Sequence, residues 1–336
     1  MKKIVSLCIG VIFFLSSVGV SRADDNINIT RVSGWDRYET SVNANKRYMN
    51  QANGNLAIIA SGDDFKTALY GSYMASALKV PFFVNPNRGI RTDILKELKR
   101  LNVKRVYVMG TYKTLSKSVD NTLRYHGIKV ERFFDGKYVQ GYKMSLDQLI
   151  DMNISETFQG YYMRGDLSGY ILINNNKYAD LLSITPFASE LAREGAALAD
   201  VHEFDYLHHG YIDEFNFVIG GYNSVPSRFD SRRPYGRLYG PNRYDTAVEI
   251  ANSYGYYLYK DIKTVVLVNG ENYPDALSSG LVATQNNGAV LLTHQNRLNT
   301  STKEYIEDKN IKNIIIVGGE KSVSKNVEKE LRNLGK

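Results

Sequence analysis

The sequence predicts an α/β protein built from three tandem units, each an open parallel sheet with helices on its faces. Two observations carry that prediction: a long run of residues recurs along the chain, and within each copy short apolar runs alternate with stretches of helical periodicity. The run Arg31-Val-Ser-Gly34-Trp-Asp36-Arg37-Tyr38-Glu-Thr40 returns as Arg237-Leu-Tyr-Gly240-Pro-Asn242-Arg243-Tyr244-Asp-Thr246. A worn copy, Arg132-Phe-Phe-Asp135-Gly136-Lys137-Tyr138-Val-Gln140, lies between them. Ser61-Gly-Asp-Asp-Phe65, Asn174-Asn-Asn-Lys-Tyr178 and Asn269-Gly-Glu-Asn-Tyr273 then fall at matching places. Gly110, Gly220 and Gly318 close a third set of markers, each six residues before Ser116, Pro226 and Ser324. Units of roughly a hundred residues are domain-sized, unlike the roughly 20–50-residue turns of a solenoid.

The elements follow in order. In the first unit Leu56–Ala60, Val80–Val84 and Val103–Met109 are short apolar runs, read as buried parallel strands. Between them Thr67–Lys79 and Thr92–Leu101 carry helical spacing, with Ile94, Leu95, Leu98 and Leu101 on one face. The third unit repeats the pattern with strands at Thr264–Val268, Ala289–Leu292 and Ile311–Val317 and helices near Asp275–Thr284, Thr302–Lys309 and Lys325–Leu334. The middle unit keeps strands at Gly169–Ile173, Ala196–Ala199 and Phe215–Ile219. Its crossover from Asp200 to Glu214 patterns poorly as a helix, and Val225–Tyr235 replaces its closing helix. Strand–helix alternation with glycine at strand ends argues for parallel sheets covered by helices.

The chain opens with Met1-Lys2-Lys3, an apolar run from Ile4 to Val20 and small residues at Ser21 and Ala23, the layout of a secretory signal peptide. The expected organisation is a signal at 1–23 and units at 24–131, 132–236 (degenerate) and 237–336. Cys8, the one cysteine, lies in the signal, so disulfides, thiolate metal sites and thiol nucleophiles are excluded from the rest. Losing Lys2, Lys3 and Arg22 with the signal lowers the formal charge from +7 to +4. So mild an excess, without a dense Lys/Arg cluster beyond Arg232-Arg233, points away from nucleic acid and towards anionic polymers met outside the cell. No other long apolar run exists, so no membrane association is expected once the signal is removed.

Enzyme-like patterns are sparse. No Asp-x-Asp pair follows the third strand of any unit, which disfavours a magnesium-dependent phosphoryl-transfer site. His202-Glu203 and His208-His209 resemble a zinc helix only loosely, since His-Glu-x-x-His would need His at position 206, which is Tyr. Neither a metal nor another cofactor is expected.

The motif set, Arg-x-x-Gly-x-Asp/Asn-Arg-Tyr-x-Thr, then Asn272-Tyr-Pro-Asp275-Ala-Leu-Ser278, then Val317-Gly-Gly-Glu-x-x-Val-Ser324, resembles the clostridial type 2 cell-wall-binding repeat over the whole chain after the signal. That resemblance implies three repeats packed as a triangular pseudo-trimer, monomeric, binding an anionic secondary polysaccharide of the wall noncovalently and without catalysis, in company with S-layer proteins. A peptidoglycan-modifying enzyme or amidase accessory factor is the competing expectation. The candidate ligand contacts are Arg37, Tyr38 and Thr40; Arg243, Tyr244 and Thr246; Asp275 and Ser278; and Lys137 and Tyr138 in the worn copy.

Physical reasoning divides these residues. Asp36 and Asn242 stand where helices should begin, with an acid three residues on, as in a capping box. Asp275 and Asp180 can be read as caps too. Arg37–Tyr38 and Arg243–Tyr244 place a cation and a phenol at a helix N-terminus, which suits a phosphate or carboxylate. They suit an arginine–carboxylate pair and a core tyrosine between units equally well. Tyrosine outnumbers phenylalanine by 25 to 13, compatible with stacking on sugars.

Overall fold

The structure, a computed structural model, describes residues 27–158, 169–204, 216–230 and 236–334. The signal, His208, His209, Arg232 and Arg233 lie outside the described residues.

The first unit runs β1 (Asn28–Val32), α1 (Arg37–Tyr48), β2 (Leu56–Ser61), α2 (Phe65–Leu78), β3 (Phe82–Asn85), α3 (Thr92–Arg100), β4 (Arg105–Met109) and α4 (Lys117–Tyr125). The second runs β5 (Lys129–Phe133), β6 (Lys137–Val139), β7 (Tyr142–Met144), α5 (Leu146–Thr157), β8 (Gly169–Ile173), α6 (Tyr178–Ala192), β9 (Ala196–Asp200) and β10 (Asn216–Ile219). The third runs β11 (Arg237–Leu238), α7 (Arg243–Leu258), β12 (Thr264–Asn269), a 3-10 turn at Pro274–Ser278, α8 (Ser279–Gln285), β13 (Gly288–Thr293), α9 (Thr300–Asp308), β14 (Asn313–Val317) and α10 (Lys325–Leu334).

The protein is α/β, as its periodicity predicts. The apolar runs form three four-stranded parallel sheets, ordered β3-β2-β4-β5, β9-β8-β10-β11 and β13-β12-β14-β1. In each, the edge strand that precedes the signature belongs to the next unit in the chain. β5 crosses the expected boundary at 131/132, and β11 opens just past 236/237 yet pairs back onto β10. The third sheet completes itself with β1, from Asn28 opposite Asn313 to Val32 opposite Val317. Strands therefore pass cyclically from unit to unit.

An arginine fastens each of these joints. Arg31 donates to Gly318 O (2.6 Å), Val323 O (2.8 Å) and Glu328. Arg132 donates to Gly110 O (2.9 Å), Leu115 O (2.6 Å) and Asp120. Arg237 donates to Gly220 O (2.7 Å), Pro226 O (3.4 Å) and Asp230. The three glycines have φ of 122°, 97° and 101°, where a side chain is strained, and each returns a backbone N–H to the borrowed strand at Val32, Phe133 or Leu238. The first residue of the signature is thus a structural staple.

Three helices meet at the centre: α2, α6 and α8 touch one another pairwise. α2 and α6 are buried almost all round, as an apolar helix without a polar face must be. Their equivalent residues come together. Phe65, Tyr178 and Tyr273 form a ring triad with centroids 6.2, 5.3 and 5.7 Å apart. Seven residues along, Ser72, Thr185 and Gly280 converge. A Cβ on Gly280 would lie 2.4 Å from Thr185 Cγ2 and 2.9 Å from Ser72 Oγ, so only glycine lets the backbones approach.

The worn signature departs from expectation after Arg132. Lys137 and Tyr138 do not open a helix; they lie on β6 of an antiparallel hairpin. Gln140 (φ 49°) and Gly141 (φ 88°) form its two-residue turn, the positive pair that a tight hairpin requires. The helix equivalent to α1 and α7 begins only at Leu146, under a capping box between Ser145 and Gln148.

Candidate functional site

Each signature helix starts at a junction between units, beside the loop that leaves the first strand of its own sheet. Asp36 and Asn242 cap α1 and α7 as expected: Asp36 Oδ1 accepts from Glu39 N (2.7 Å), and Asn242 Oδ1 accepts from Tyr244 N (2.9 Å). Glu39 reaches Trp35 N (2.8 Å), one residue short of a reciprocal box.

At the junction of the third and first units, Arg37 Nη1 donates to Gly62 O (2.5 Å) and lies 3.4 Å from Asp63. Tyr38 donates to the same Asp63 at 3.4 Å, and the Arg91 guanidinium sits 5.6 Å from the centre of its ring. Arg91 itself is held by Asp36 (2.8 Å) and Asp93 (2.7 Å). Asp275 faces this cluster from the third unit. It is no cap: its carboxylate accepts the Gly319 N–H, and burial raises its pKa against the pull of that bond and of Arg37.

The junction of the second and third units repeats the plan. Arg243 Nη1 donates to Gly270 O (2.6 Å) and to Tyr178 Oη (2.7 Å), and Tyr178 donates to Gly270 O (2.8 Å). Tyr244 Oη is 3.0 Å from His294 Nδ1, which lies 2.8 Å from Glu271 Oε1. Burial, and then Glu271, push the Tyr244 phenol up to about 12. The His294 bond holds Glu271 below the usual carboxylate range. Asp180 takes the place of Asp275; burial lifts it to about 6 despite Arg243 and Lys177.

Only part of each arginine is used. Arg37 and Arg243 donate through Nη1 alone, and among the described residues Nε and Nη2 of both make no hydrogen bond. The staple arginines, by contrast, have Nε, Nη1 and Nη2 all committed. Half a guanidinium fork at a helix N-terminus, beside a phenol, is a ready receptor for one phosphate or carboxylate.

The other sequence candidates fall elsewhere. Thr40 and Thr246 are buried, their hydroxyls accepting from Gly34 N (2.9 Å) and Gly240 N (3.1 Å) to shape the signature turn. Ser278 is buried at the end of the 3-10 turn. Lys137 pairs with Glu131 at 3.3 Å, and Tyr138 is exposed, both on the hairpin rather than at a junction. Sequence reasoning points to the loops that carry Asp63 and Glu271, at the carboxyl ends of the first strands, and misses Arg91 and His294. Asp63 and Glu271 come from the repeated loop after the first strand, whereas Arg91 and His294 reach the site from loops that neither repetition nor spacing marks.

The family model for cell wall binding domain 2 (CWB2) matches residues 31–120 and 237–328, together just over half the chain. The chain belongs to the CWB2 family. The stretch between the two matches is the unit whose signature is interrupted by a hairpin. Among curated proteins, the N-acetylmuramoyl-L-alanine amidase LytC of Bacillus subtilis (strain 168) is 24% identical over 98% of this chain and 62% of its own length. The amidase enhancer of the same organism is 24% identical over 91% of this chain and 41% of its own. Cwp8 from Clostridium difficile shares the fold with a TM-score of 0.73 at 21% identity, over 92% of this chain and 52% of that one. Cwp6 from the same organism gives 0.72 at 17%, over 93% and 50%. The CWB2 chain described here therefore spans from about two-fifths to three-fifths of the length of these relatives.

Proposed function

We propose that this CWB2 protein is secreted and holds noncovalently to an anionic secondary polysaccharide of the wall, at two clefts and without catalysis. The observation that carries the reading is the pair of half-used arginines. Arg37 and Arg243 keep Nε and Nη2 available beside Tyr38 and Tyr244, at the starts of α1 and α7. An anion there gains two parallel charge-assisted bonds and the helix dipole. The family and the wall-associated relatives support a wall polymer as the source of that anion. Two weak clefts on one rigid body meeting a repeating polymer gain avidity without any new contact. S-layer proteins in the same layer are the expected neighbours.

The test is sedimentation of the protein with purified cell walls, before and after removal of phosphate-linked glycans. Arg37→Ala with Arg243→Ala should weaken binding about tenfold or more, the worth of a lost charged bond, with the melting temperature nearly unchanged. Loss of folding would assign these arginines to the scaffold. The names of the two Bacillus relatives raise a second reading, amidase action or its enhancement. Clearing of a peptidoglycan gel by the purified protein would establish that reading and end the noncatalytic one.

A further inference from the structure

The junction of the first and second units offers the opposite charge. Two residues after the central ring triad, the other units carry Asp180 and Asp275, and the first carries Thr67. Where α1 and α7 open with Arg-Tyr, α5 opens with Leu146-Asp147. The arginine is gone and the carboxylate has moved across the joint. Asp147 now stands with Asp200 at the end of β9, Glu203 just beyond it and Asp135 ahead of the hairpin, around a cavity of about 210 Å³. Asp147 Oδ2 accepts the Asp200 N–H (3.0 Å), and Asp200 Oδ1 accepts the Asn175 N–H (3.2 Å), so the acidic segments are tied in place.

A second feature points into the same space. Five residues after the triad the other units carry Ser183 and Ser278, and the first carries Tyr70, 3% exposed. Tyr70 Oη and Asn175 Oδ1 both line the cavity, the Asn175 amide beside the phenol, and neither atom completes a hydrogen bond. Buried polar atoms left unpaired bear a full desolvation penalty, which a donor and acceptor entering the cavity would relieve. Partial burial, with Asp135, Asp147 and Asp200 around it, raises Glu203 to about 7, and Lys66, the one cation lining the cavity, offsets this least of all. With Asp64 at the start of α2, five carboxyl groups thus face one ammonium. A chelated metal does not fit, because among the described residues no three His, Cys, Asp or Glu side chains converge closely enough to hold one. A primary ammonium does fit: it donates in three directions to dispersed acceptors. The space also exceeds the roughly 150 Å³ that houses a benzene, which leaves room for a sugar-sized body behind the nitrogen.

We propose that this cavity binds a primary ammonium carried on a sugar-sized group, an unacetylated amino sugar, so that the protein takes a cation at one junction and anions at the other two. The cation site stands whether or not the anion clefts are what Arg37 and Arg243 serve.

Calorimetric titration of the full chain at pH 8 with glucosamine, N-acetylglucosamine, glucose and calcium chloride tests it. Glucosamine should bind one to one and at least about tenfold tighter than either neutral sugar, the worth of one charged bond. Glu203→Gln should weaken glucosamine severalfold without lowering the melting temperature, since at pH 8 it removes a carboxylate that the fold holds above its ordinary pKa, and Tyr70→Phe should weaken it too. Should Tyr70→Phe fail to fold, Glu203→Gln, with its side chain partly open to solvent, still decides. Lowering the pH to 5.5, which protonates Glu203, should weaken binding in the parent chain and not in Glu203→Gln. Equal affinities for the three sugars, no binding of glucosamine, or glucosamine binding indifferent to Glu203→Gln would each overturn the proposal. A one-to-one calcium isotherm abolished by Glu203→Gln would replace it with a metal centre.

Discussion

The junction of the second and third units and the junction of the first and second are built on one frame and furnished differently. Both have a staple arginine, a positive-φ glycine, a borrowed edge strand and a central helix in contact with its neighbours. At the first residues of the signature helix they part: Arg243-Tyr244 facing Asp180 in one, Leu146-Asp147 facing Thr67 and Tyr70 in the other. The difference separates two kinds of repetition. The arginine and glycine that hold each borrowed strand recur three times, because removing either leaves carbonyls and a carboxylate without their donor or a strained turn. At the helix start Arg243, Leu146 and Asp147 reach solvent, and there the chemistry differs between the two junctions.

The sharpest way to break this comparison is at the frame. Arg132→Ala should cost about 3 kcal/mol in a urea titration, because Asp120, fully buried beneath it, keeps only the half-exposed Arg124 at 3.6 Å. Arg237→Ala should cost less, since the Asp230 side chain remains 36% exposed. Equal losses at the two would mean that the staples are worth the same despite their different burial. Next in size is the pH response of Asp180. Its folded pKa of about 6 lies above its unfolded value near 3.9, so the folded state binds the proton more tightly and stability falls as pH rises from about 4 to 6. The loss amounts to roughly 2–3 kcal/mol. Asp180→Asn should remove that contribution, read as the difference between the two proteins' urea midpoints at pH 4.5 and 7; parallel curves would refute the burial argument.

At the axis, Gly280→Ala should cost about 1–3 kcal/mol by overpacking, and Thr185→Ser in the same chain should recover most of it. If the second change recovers nothing, the three helices do not share one contact point. Smallest of all is Lys137→Ala on the hairpin, whose partly exposed pair with Glu131 is worth under about 1 kcal/mol. It should leave wall binding unchanged, in contrast to Arg243→Ala. A tenfold loss from Lys137→Ala would place the hairpin among the ligand contacts.

Much of the frame was legible because it is written locally. Val265 and Val266 in β12, or Ile94 and Leu98 in α3, betray burial by spacing alone, and Asp36 and Asn242 announce helix starts by residue type. What could not be read is non-local. A strand's sequence does not name its partner, so the passing of β5, β11 and β1 between sheets was invisible. The middle signature misled for a related reason: Arg132 matches Arg31 and Arg237 truly, and the match was carried on to Lys137 across an insertion. Gln140-Gly141 was the hairpin's local mark. At the site, the roles of Arg37 and Arg243 stayed open in sequence because they turn on how many guanidinium nitrogens are engaged. His294 and Arg91 carry no repeat mark at all.

The pairing of β1 with β14 has a kinetic meaning. A chain that lends β5 and β11 back to the preceding unit can finish its first two sheets as it is synthesised, but the last sheet waits for a strand made at the outset. Until Asn313–Val317 emerges, Asn28–Val32 is an unpaired edge, and its closure spans nearly the whole chain. Such long-range pairing is slow to form and exposes the intermediate to wrong partners, including the β14 of a second molecule. That exchange would keep every hydrogen bond in place while turning one body into two that are linked, a domain-swapped dimer that the same geometry makes available at little cost.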